Sequence, residues 1–128
     1  MKNSLFIIVI FLLGCAPHPK PSNCAAFRNG KFKSKYAGYT YIIERVGANQ
    51  KEYFIDAKDS LISFVTIKWL DDCTYTLTPT KETLKRSKLP ANAMITVTIT
   101  NTTSNSYTQT STSNYIDTTL SSEFFKIE

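Results

Sequence analysis

Short runs in which polar and apolar side chains alternate, separated by turn residues, recur from residue 31 to residue 127, and a period of two is the signature of strands with one buried face. In Lys31-Phe32-Lys33-Ser34-Lys35-Tyr36 the lysines take one face, and Phe32, Ser34 and Tyr36 take the other. Tyr39 to Val46 follows, and Gly47-Ala48-Asn49 reads as a hairpin loop leading into Gln50 to Asp56. Leu61 to Leu70 is the longest apolar run and is expected to lie centrally, with Leu61, Val65, Ile67 and Trp69 on one face. Asp71-Asp72 turns the chain into Cys73 to Thr78, and Pro79 ends that strand because it cannot donate to a ladder. Thr80 to Ala93 breaks the alternation, and Lys81 to Lys88 reads as one exposed helical segment. Ile95 to Thr100 alternates strictly. Ser106 to Ser113, nearly all hydroxyl and amide apart from Tyr107, reads as an edge or a solvent-facing strand, and Ser122 to Ile127 as a last strand that closes the sheet.

Eight strands joined mostly by short connections predict an all-β domain. The favoured arrangement is an antiparallel meander forming a closed or half-open up-and-down barrel, lipocalin-like, and the alternative is a two-sheet β-sandwich.

The N-terminus constrains location. Met1-Lys2 precedes an unbroken apolar run, Leu5 to Leu13, whose helix would cover only roughly 14 Å, about half a bilayer core. That is a signal-peptide core and not a span. It ends in Leu12-Leu13-Gly14-Cys15, which resembles the bacterial lipobox, so Cys15 is the expected lipidation site and residues 1–14 the signal peptide. Two or three acyl chains hold a protein stably to a bilayer where one does not. The expected setting is the bacterial cell envelope, with the protein lipid-anchored and either facing the periplasm or at the outer-membrane surface.

Residues 15–23 carry three prolines and read as an extended tether, followed by one β domain over 24–128, too short for two cores. Cleavage before Cys15 removes one lysine and no acid, leaving 14 basic against 10 acidic residues, a charge of +4. Cys24 and Cys73 are the two remaining cysteines in an oxidising compartment, so a single intramolecular disulfide is expected, against the alternative of two buried thiols.

Cys24-Ala-Ala-Phe27-Arg28-Asn-Gly30-Lys31-Phe32, Ile43-Glu44-Arg45, Gln50-Lys-Glu52 and Lys68-Trp69-Leu70-Asp-Asp72-Cys73-Thr-Tyr75-Thr-Leu77 together resemble a family of short uncharacterised exported lipoproteins of Bacteroidetes, over residues 24–78. Some members bear the label DNA topoisomerase IV. The resemblance implies no such activity, because this chain has neither a phosphate-binding glycine run nor an acidic metal cluster. Gly30-Lys31-Phe32 also resembles the Gly-x-Trp of lipocalin first strands.

Catalysis is disfavoured. The single histidine, His18, lies in the tether, which removes Ser-His-Asp and Cys-His arrangements from the domain, and two cysteines alone do not make a zinc site. Asp71-Asp72 and Glu44 with Glu52 are the candidate paired carboxylates, but Asp71 and Asp72 read better as turn formers and Glu44 with Arg45 as members of cross-strand pairs. No metal and no cofactor are expected. The Lys31, Lys33, Lys35 stripe sits opposite its neighbouring aromatics, so it reads as a solvated face with some attraction for acidic lipid, and no nucleic-acid partner is expected.

Arg45 shares the face of Tyr39, Tyr41 and Ile43 and therefore points inward, where it must find a partner. Either it lines a polar ligand cavity, or it pairs with an inward carboxylate or sits at a barrel rim. Asp59-Ser60-Leu61 and Asp117-Thr118-Thr119 resemble the O-glycosylation signal of exported Bacteroidetes proteins, at Ser60 and Thr118. The expected role is a non-enzymatic binding or accessory module with a small apolar ligand; the alternative is a structural lipoprotein that contacts another envelope protein.

Overall fold

The computed structural model describes residues 21–36 and 38–128, the side chain of Tyr36 excepted. The expected signal peptide, Cys15 and His18, and with them most of the expected tether, lie outside the described residues.

A single 3-10 turn, Cys24–Phe27, precedes eight strands: β1 (Gly30–Tyr36), β2 (Tyr39–Val46), β3 (Asn49–Ile55), β4 (Ser60–Trp69), β5 (Thr74–Pro79), β6 (Ile95–Thr102), β7 (Ser106–Ser113) and β8 (Leu120–Lys126). A short helix, α1 (Lys81–Arg86), interrupts them between β5 and β6. Every strand pairs antiparallel with its sequence neighbour, and β8 returns to β1, so the sheet is a closed barrel and not a sandwich. The closing seam is short, with Phe32 opposite Lys126 and Lys33 opposite Phe125, and the Lys31 amide adds a bond to the Glu128 carbonyl. Gly30 is required here: its φ is +136°, and a Cβ would sit 3.0 Å from that same carbonyl.

Closure corrects three expectations. No strand is central in a closed sheet, β4 included. The hydroxyl-rich Ser106–Ser113 is no edge: β7 pairs with β6 on one side and β8 on the other, and Ser106 and Tyr107 are buried. Leu61 has the inward parity of Val65 and Ile67 but stays exposed, because it stands at the barrel's rim.

Turn chemistry sets the register of the β2–β3 hairpin. The β2–β3 loop is only Gly47-Ala48, with Gly47 at φ +58°, so Val46 faces Asn49, Arg45 faces Gln50 and Ile43 faces Glu52. An inward Arg45 and an inward Ile43 therefore bring Gln50 and Glu52 inward as well. At the far side of the barrel, Thr80 caps α1 by accepting from the Thr83 amide, and the Thr83 hydroxyl both donates to the Phe64 carbonyl and accepts from the Phe64 amide at 3.0 Å. A six-residue helix would not hold alone; these bonds fasten it to β4.

Candidate functional site

The barrel's two ends differ. At one end the 3-10 turn lies across the opening and the Cys24–Cys73 disulfide ties it to the β4–β5 turn, closing a separation of 49 residues. Phe27 drops into the barrel, its ring centroid 5.2 Å from that of Tyr107 and 6.1 Å from that of Phe32. Tyr107 in turn stacks on Phe124 at 5.4 Å. Outside, Arg28 lies over Trp69 at 4.7 Å and pairs with Asp72 at 3.4 Å.

Arg45 is the organiser of this plug. It is 1% exposed, and every group of its guanidinium is engaged. Nε donates to Gln50 Oε1 at 2.9 Å, Nη1 to the Phe27 carbonyl at 2.7 Å, and Nη2 to the hydroxyls of Tyr75 at 3.0 Å and Tyr107 at 3.3 Å. The rings of Tyr75, Phe32, Trp69 and Tyr107 surround it at 4.8–5.9 Å. Burial works against its charge, but the Tyr75 and Tyr107 hydroxyls outweigh that and hold the guanidinium above its ordinary pKa. Among the described residues Arg45 pairs directly with no carboxylate, and its charge is spread over neutral oxygens and aromatic faces.

From Gln50 the polar chain continues. Its amide nitrogen donates to Glu52 Oε1 at 3.0 Å, and the Tyr41 hydroxyl donates to Glu52 Oε2. Burial pushes the Glu52 carboxyl up from the usual carboxylate range, against the lowering effect of Tyr41, Gln50 and the Arg45 charge. Tyr41 is held well above its ordinary value by burial and by the Glu52 charge.

Glu52 lies where packing ends and space begins. On one side a cavity of about 240 Å³ is lined by Glu52, Tyr41, Ser34, Gln109, Ser111 and Ser122 among polar groups, and by Leu77, Ile95, Val97, Phe54, Leu120 and Phe124 among apolar ones. On the other, a cavity of about 140 Å³ runs beneath the α1 segment, lined by Glu52, Thr83, Leu89, Met94 and Tyr115 among others. Phe54 is 41% exposed and Leu120 49%, although both have inward parity, so the larger cavity reaches the surface between them. A broader groove of about 540 Å³ runs along β2, β3 and β4, but its carboxylates are already paired, Glu44 with Lys31 at 3.5 Å and Glu82 with Arg86 at 3.8 Å.

The structure thus joins two of the residues singled out in the sequence, Cys24 and Cys73, and places a third, Arg45, against the plug they anchor. Ser60 and Thr118 are exposed at the open end, Ser60 as the first residue of β4 and Thr118 in the β7–β8 connection. The expectation for Cys15 falls outside the described residues. Glu52 as an interior carboxyl, with Tyr41 and Gln109 beside it, is what sequence reasoning missed; the two-residue loop was the available signal, since it fixes Glu52 opposite the inward Ile43. Among the described residues no three His, Cys, Asp or Glu side chains come together as a metal site. No family model, no curated protein and no solved structure matches the chain.

Proposed function

We propose that the protein is a non-catalytic binding module of the bacterial cell envelope, anchored by lipid at Cys15, whose one-ended barrel holds a small, largely apolar ligand. The observation that carries this reading is the asymmetry of the interior, plugged and fully packed at the disulfide end and hollow behind an open rim at the other. A closed barrel of eight strands is just wide enough for side chains to fill or for one small ligand. At about 240 Å³ the space is below the ~300–1,000 Å³ of drug-sized sites, so the ligand is small.

The same end supports the docking alternative. Tyr39, Ile55, Leu61, Ile62, Met94 and Ile116 are exposed around the rim, an apolar ring that suits contact with another envelope protein.

Native mass spectrometry of the protein extracted from its own membrane tests both readings. The binding reading expects a chain beginning at an acylated Cys15 and carrying a small molecule that is lost on denaturation. An unmodified Cys15 would remove the anchor, and an empty chain that always copurifies with a second protein at fixed stoichiometry would replace binding with docking.

A further inference from the structure

Resting on the cavity reading, we infer that the ligand is a small organic cation, an amine on a compact apolar body, with its ammonium group on the carboxylate of Glu52. Among the described residues, Glu52 is the single carboxyl lining the larger cavity, and no cationic side chain lines it. Arg45, the nearest interior cation, stands behind Gln50 with its guanidinium already engaged by Gln50, Phe27, Tyr75 and Tyr107, so it offers nothing to an anion entering the cavity.

A carboxylate has about four acceptor sites, and Tyr41 and Gln50 occupy two of Glu52's. An ammonium brings up to three donors and a full opposite charge to the remainder. The same space is walled by the rings of Tyr41, Phe54 and Phe124, with Tyr41 5.6 Å from Phe124 and 4.6 Å from Phe54, and aromatic faces attract an ammonium within about 6 Å. Leu77, Ile95 and Val97 then take the apolar body. A ligand carboxylate would instead meet Glu52 at close range with no free cation between them, which is costly in a site of low dielectric.

Three isosteric probes separate the cases: benzylammonium, benzyl alcohol and benzoate, titrated at pH 7 into the full chain in nanodiscs of zwitterionic lipid, with empty nanodiscs as reference. Benzylammonium is expected to bind at least tenfold tighter than benzyl alcohol, and benzoate weakest of all. In Glu52→Gln the amine preference should fall below twofold, with benzylammonium losing more affinity than benzyl alcohol. Equal binding of the three in the intact chain, or benzoate binding tightest, overturns the cation and leaves the cavity reading standing. Failure of all three to bind overturns both. The ranking in the unsubstituted chain decides the matter even if Glu52→Gln does not fold.

Discussion

Inward-facing residues at the two ends of this barrel obey the same alternation and meet opposite fates. At the plugged end Phe32, Arg45, Tyr75, Ile99 and Tyr107 are almost completely buried, whereas at the open end Tyr39, Phe54, Leu61 and Leu120, also of inward parity, remain exposed. The difference lies in what is laid across each opening. One end receives a disulfide-tethered turn that contributes an aromatic ring and a carbonyl; the other is covered only in part, by α1 and the segment that follows it. Strand parity therefore decides which side chains enter a barrel, and the covering elements decide which of them leave water.

That contrast is open to attack, beginning with the plug. Replacing Cys24 and Cys73 together by serine frees the 3-10 turn, and a bridge closing a loop of this length contributes about 4 kcal/mol on the chain-entropy model. Urea unfolding should show that loss, and the amides around Phe27 should lose protection from hydrogen exchange while those of α1 keep theirs. Arg45→Leu should cost about 3 kcal/mol, since it strands the Phe27 carbonyl and Gln50 Oε1 in a dry interior where each unsatisfied group costs ~1–3 kcal/mol. A loss under about 1 kcal/mol would mean that Arg45 does not hold the plug.

At the open end the direction reverses. Burial raises the Glu52 pKa above its unfolded value, so between those two values the folded chain binds more protons than the unfolded one, and stability falls as pH rises through that window. Below the ordinary carboxyl range both states are protonated and the penalty is absent. Glu52→Gln should therefore unfold at higher urea than the unsubstituted chain at pH 7, and the gain should shrink toward pH 4. A gain independent of pH would show that the carboxyl is not the source. The smallest effect is expected at the rim, where Leu120→Ser should change stability by no more than about 0.5 kcal/mol, as an exposed position does.

Much of this architecture is legible in the residues. Alternation marks the eight strands and their inward faces, including Arg45 on the side of Tyr41 and Ile43, and with Cys15 read as a lipidation site Cys24 and Cys73 leave one intramolecular pairing. The interior chemistry is less so. Arg45 meets Tyr75 and Tyr107 across the barrel, 30 and 62 residues away, and periodicity carries no information about which residues face one another through a core. The β7 strand misleads for a related reason: Ser111 and Gln109 look solvent-facing by composition, but closure between β6 and β8 turns them onto the larger cavity. Glu52 lies between these cases, since its orientation follows from the length of one turn.

The central claim is that the interior is packed at the disulfide end and hollow at the other, and xenon tests it most directly, because it enters apolar voids in proportion to their size. In the methyl-labelled full chain under xenon pressure, the methyl resonances of Leu77, Ile95 and Val97, which line the larger cavity, should shift saturably, and that of Ile99, buried among the plugged-end residues, should stay in place. Shifts at Ile99 with none at Leu77, Ile95 and Val97 would contradict the account.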